Sequence, residues 1–164
     1  MDMKRLARLA VLTAAALAVH TVEAQIPAFV PVPGVKLGLA NAFTLFVMFI
    51  DGIPGAAAVL LARVLLGGFA SGGFSMLIYS LAGGAVSFAV MAILKKPFGI
   101  KFAFLTGAVG GVTHNFAQLF VAVAVTKTPE LWAYFPVLAA VGAICGALTG
   151  FISGIVVRRI GRYT

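Results

Sequence analysis

The feature that most constrains this chain is the length over which it carries no charge. Residues 64–94, 102–125 and 131–157 contain no Asp, Glu, Lys or Arg, and shorter stretches of the same kind precede them. Apolar runs of about 17–25 residues are what an α-helix needs to cross a hydrocarbon layer roughly 30 Å thick. Composition agrees, since 62% of the 164 residues are hydrophobic against about 45–50% in a soluble domain, and mean hydropathy is +1.13. Lipid offers no partner for an open backbone, so such runs fold as helices. An all-α integral membrane bundle, one domain over residues 1–164, is expected.

Turn signals divide the chain into six helices at about 6–22, 37–50, 55–69, 74–94, 102–125 and 131–157. Asp51 and Gly52 make a turn and Pro54 suits the first turn of the third helix. "ASGGFS", "KKPFGIK" and "TKTPE" separate the later segments. The first segment places Lys4, Arg5 and Arg8 ahead of an apolar run and small residues near Ala24, a layout that also fits a signal peptide cut after Ala24. A retained first helix is expected, because the rest of the chain is itself membrane-embedded and needs partners for its polar faces. Six spans bring Lys4 to Arg8, Lys95 to Lys101 and Arg158 to Arg162 to one side, leaving Lys36 and Lys127 opposite. The positive-inside rule then predicts both termini in the cytoplasm and a multi-pass protein of the cytoplasmic (inner) membrane.

Several function classes are disfavoured. The net charge of +8 comes from 12 basic and 4 acidic residues, but the basic ones lie between apolar helices instead of forming a patch with interleaved aromatics, so no nucleic-acid partner is implied. Cys145 is the lone cysteine, which leaves neither an intramolecular disulfide nor a thiolate cluster. His20, His114 and Glu23 lack a local metal-ligand spacing, and no glycine-rich phosphate loop occurs. Neither an ATPase nor a prenyl synthase motif is present, so an enzyme, a cofactor and a bound metal are not expected.

Two sets of small residues recur every four positions. Gly142, Gly146, Gly150 and Gly154 form a ridge without side chains in helix six, suited to close helix packing. Ala10, Ala14 and Ala18 make a shallow face on helix one, which spacing alone assigns equally to internal packing or to another membrane protein.

Polar groups within the apolar runs are the candidate site. Arg63 near the middle of helix three costs about 2.5–3.5 kcal/mol on insertion scales; it either pairs, with Glu23 for example, or recognises an anionic group. His114 and Gln118 are four apart and share a helical face, with Asn115 beside them. Imidazole and carboxamides suit either a packing network or a small-molecule site. His20, Glu23, Asn41 and Thr44 lie at compatible depths, Tyr79, Ser80, Trp132 and Tyr134 are weaker candidates, and Lys36 belongs to the rim.

"PGVKLGLAN" at residues 33–41, "LARVLLGGFASGG" and "GAVGGVTHNFAQLFVA" resemble the Gx transporter family, whose members are often labelled heptaprenyl diphosphate synthase component I. That family is similar to the substrate-binding S components of energy-coupling factor (ECF) transporters. The resemblance implies six helices, capture of a small solute, and alanines at positions 10, 14 and 18 docking onto a transmembrane coupling subunit that carries two cytosolic ATPases. The competing expectation is a membrane accessory or scaffold subunit for isoprenoid, quinone or redox enzymes.

Overall fold

The computed structural model describes residues 2–25, 38–70 and 74–160. These form six α-helices: α1 (Met3–Gln25), α2 (Asn41–Ile50), α3 (Gly52–Ala70), α4 (Phe74–Phe98), α5 (Ala103–Thr126) and α6 (Phe135–Arg159), with 3-10 turns at Ile100–Phe102 and Pro129–Tyr134. No strand occurs among the described residues. Five helices are long and apolar enough to cross a membrane.

α2 differs from the others. Its 10 residues extend about 15 Å at 1.5 Å per residue, half of the hydrocarbon layer. The expected start at Leu37 lies outside the described residues, and Gly38 to Ala40 form a turn in which Gly38 has φ +80°. A side chain would be strained there, which is why glycine fits. Despite its length, α2 contacts α1, α3, α4, α5 and α6. Leu45, Val47, Met48 and Phe49 anchor the main apolar core with Leu9 and Ala16 of α1 and Val59 of α3.

Other boundaries move for identifiable reasons. α4 continues through Lys95, Lys96 and Pro97, which form its last turn and not a connection. Lys95 is held there because its Nζ donates to the Met48 carbonyl at the end of α2 and lies 5.6 Å from the Phe49 ring; a cation at a helix carboxyl end is favourable. α6 begins at Phe135 with Pro136 in its first turn, so Trp132 and Tyr134 belong to the preceding 3-10 turn.

Contacts between basic residues and helix ends align the bundle. Arg5 and Arg8 of α1 both pair with Asp51, which links α2 to α3. Lys95 reaches α2, and Arg158 of α6 donates to the Ile100 carbonyl before α5 at 3.4 Å. The amino end of α1 and the carboxyl ends of α2, α4 and α6 therefore share one basic end of the molecule.

α5 and α6 approach backbone to backbone. A Cβ on Gly111 would strike the Gly142 carbonyl, one on Gly146 the Gly107 carbonyl, and one on Gly150 the Ala103 carbonyl. Gly154 differs, since a Cβ there would meet nothing nearer than the Ala103 Cβ at 3.5 Å. The close contact thus runs from Gly111 to Ala103, the first residue of α5, and Gly154 lies beyond it near Ile100 of the preceding 3-10 turn.

Candidate functional site in the polar half of the bundle

Polar side chains concentrate toward the end opposite the basic one. His20 and Glu23 of α1, Arg63 of α3, and His114 and Gln118 of α5 are all buried. Glycines make room for them. A Cβ at Gly67 would lie 2.8 Å from the His20 ring, one at Gly83 2.8 Å from the His114 ring and 2.9 Å from Gln118, and one at Gly38 3.1 Å from His114. Their spacing is helical: Thr106, Gly110, His114 and Gln118 recur every four residues along α5, with Gly83 of α4 against His114 and Gln118 and Met91 of α4 against Gly110.

Glu23 is used differently from the sequence expectation. Its carboxylate accepts hydrogen bonds from the successive amides of Gly38, Leu39 (3.2 Å) and Ala40 (3.5 Å) at the amino end of α2. These donors have no partner inside the helix, and the positive end of the helix dipole favours an anion there. The arrangement ties the carboxyl end of α1 to the amino end of α2 and satisfies a charge that lipid could not.

Arg63 is consequently left with unmet donors. It is 3% exposed, and its Nε and one terminal nitrogen have no hydrogen-bond partner among the described residues. Glu23 and His114 are its electrostatic neighbours, but no ion pair joins Arg63 to Glu23 among the described residues. The Nδ1 of His114 is also buried, against the Gly83 backbone, and makes no hydrogen bond of ordinary geometry among the described residues.

The remaining candidates separate into distinct environments. The Asn41 amide donates to Ser87 Oγ at 2.9 Å, and Ser87 in turn donates to the Gly84 carbonyl at 3.1 Å. Asn41 Oδ1 and Thr44 Oγ1 are buried without partners among the described residues. A space of about 10 Å³ beside Gly38, Asn41 and Met91 has room for one water at most. Asn115 turns from His114 toward α6, where its amide donates to the Leu138 carbonyl at 2.8 Å. Tyr79 is packed with Leu119, Ala122 and Leu138 in a second apolar cluster, flanked by Trp132 and Tyr134. Trp132 also stacks near Phe116 and Phe135. Lys36 lies outside the described residues.

Ser87 and Thr106 were missed at the sequence level. Both are completely buried, and the available signal was their register, four residues from Gly83 and Gly110 respectively.

On the outer surface of α1, Ala10, Ala14 and Ala18 are exposed. Ala10 and Ala14 line a groove of about 420 Å³ whose far wall is Ala58, Ala62 and Leu66 of α3. Nothing within the described chain covers this face.

Residues 12–156 match the family described as heptaprenyl diphosphate synthase component I. The chain belongs to that family. No curated protein and no solved structure matches it. In this member of the component I family, the match includes the polar half of the bundle and most of the small-residue face of α1, so both features lie within the family's common extent.

Proposed function

We infer that the protein is the substrate-binding membrane component of an ECF-like uptake transporter for a small anionic solute. One observation carries this reading: Arg63 is buried in the polar half of the bundle with guanidinium donors unmet. An unsatisfied buried donor costs about 1–3 kcal/mol, more when charged, and an ionisable residue at membrane depth is a site marker by default. A carboxylate or phosphate of the solute would satisfy it by charge-assisted hydrogen bonds. In this reading His114 adds a second polar contact, and Gln118 and Asn41 are further candidate contacts. Asn115 and Tyr79 act in this reading by holding α5 against α6 and α4. Lys36 belongs to the outer rim.

Solute enters from the face opposite the basic end and leaves toward the cytoplasm as a coupling subunit with two cytosolic ATPases drives reorientation. Docking falls to Ala10, Ala14 and Ala18, whose exposure beside an apolar groove suits a partner helix approaching closely. The chain itself performs no chemistry in this scheme. Native mass spectrometry of gently purified protein, combined with affinity capture, tests both halves. A recurrent small anion that disappears in a folded Arg63→Ala variant, together with an ATPase-linked membrane subunit, is the expected result. An empty protein in stable complex with a biosynthetic enzyme would overturn it in favour of a scaffold.

A further inference from the structure

A second feature sits at the other end of the molecule and is independent of the proposed transport. Beyond Gly150, where α5 gives way to the 3-10 turn at Ile100–Phe102 beside α6, a groove of about 240 Å³ opens at the basic end. Its walls include Phe104, Phe151 and Ile155, which are 45%, 58% and 40% exposed. Gly154 forms part of the floor, with slack around it. Lys101 and Arg158 stand at the rim.

Among the described residues, no carboxylate pairs with these two cations. The chain has four acidic residues, Asp2, Glu23, Asp51 and Glu130. Asp51 is taken by Arg5 and Arg8, and Asp2 accepts from the Lys4 amide at the start of α1. Glu23 is bound to the amino end of α2, and Glu130 follows the far end of α5. Arg158 makes one long contact, 3.4 Å to the Ile100 carbonyl, and Lys101 rests 5.6 Å from the Phe102 ring. Both side chains are exposed, and α5 begins beside them with no side-chain cap.

A cationic rim above an apolar trough at the end of membrane helices matches an amphiphile with an anionic head. We propose that this groove binds an anionic glycerophospholipid, its phosphate held by Lys101 and Arg158 and an acyl chain lying along Phe104, Phe151 and Ile155. Arg158 supplies a planar pair of donors for phosphate oxygens, Lys101 a mobile point charge. The apolar walls distinguish this ligand from a free phosphate, which would gain nothing from them. The missing side chain at Gly154 sets the depth of the trough.

Competitive lipid retention in native mass spectrometry tests the assignment, using phosphatidylglycerol against phosphatidylcholine of matched chains, with inorganic phosphate as a third arm. The wild-type protein should retain phosphatidylglycerol over phosphatidylcholine on the order of tenfold, and millimolar phosphate should not displace it. Lys101→Gln with Arg158→Gln should abolish the preference, whereas Lys96→Gln with Arg159→Gln, an equal loss of charge at the same end, should keep it. Gly154→Leu, which fills the trough and leaves both cations, should weaken retention of both lipids. Equal retention of the two lipids by the wild type, equal loss of preference in the two double variants, or displacement by phosphate alone would overturn the proposal. If the Lys101/Arg158 variant does not fold, the Gly154→Leu comparison decides: undiminished retention sinks it.

Discussion

At the scale of single residues, the contrast between Glu23 and Arg63 is the most informative. Both are charged and buried, yet only Glu23 has its needs met, by amides that a helix start leaves free. Removing each should therefore have opposite signatures. Glu23→Gln weakens the bond to three amides and should destabilise the protein by about 1–3 kcal/mol, read as a lower melting temperature in detergent. Arg63→Ala should lose solute while melting no earlier than wild type in the empty state, because it removes an unmet charge. A large drop in the melting temperature of empty Arg63→Ala protein would show that the guanidinium is structural. Asn115→Ala should cost about 1–2 kcal/mol through the lost bond to Leu138, with solute binding retained.

Between elements, glycine position decides what is tolerated. At Gly146 a Cβ would collide with the backbone carbonyl of Gly107, and backbone cannot swing aside as a side chain can. Gly146→Ala should destabilise the protein by about 1–3 kcal/mol, whereas Gly154→Ala has space and should be neutral or stabilising by up to about 1 kcal/mol through the lower entropy of the unfolded chain. Paired thermal melts of the two variants check this, and equal effects would contradict the backbone contact at Gly107 and Gly146 and the slack at Gly154. The corner joining α1 to α2 and α3 has a pH signature. Hydrogen bonding from Arg5, reinforced by Arg8 and opposed by burial, holds the Asp51 carboxyl below the usual carboxylate range. A folded-state pKa below the unfolded value of about 3.9 means that the contribution is complete above that pH and disappears as pH falls through the folded value. The stability gap between wild type and Asp51→Asn should be constant from pH 8 to about pH 5 and close below about pH 4; a gap unchanged at pH 3 would exclude the mechanism.

For the whole molecule, one end is basic and the other holds the polar layer, and that polarity predicts orientation. In a Cys145→Ser background, a cysteine at Lys96 should react with a membrane-impermeant maleimide only from the cytoplasmic side, and one at Lys127 only from outside. Labelling of both from one side would break the proposed even number of crossings. The five long helices alone do not set that number. What matters is that α2, although too short to span by itself, runs from the polar layer to the basic end.

Much of this was already visible in the residues taken in order. Charge-free length demanded membrane helices, clustered lysines and arginines predicted a shared end, and four-residue periods marked the glycine and alanine faces. Each of those properties depends on the covalent order of residues and on the period of a helix, both local. The rest needed three dimensions. Nothing in the spacing of Glu23 and Arg63 said that the carboxylate would cap α2 and leave the guanidinium unmet, or that Asn115 would face α6 while His114 faces Gly83. Nor did the order of residues say that Tyr79 would pack among Leu119, Ala122 and Leu138. Such outcomes are set by which helix lies opposite which, because a buried polar atom is satisfied only by whatever donor or acceptor the packing brings within about 3 Å.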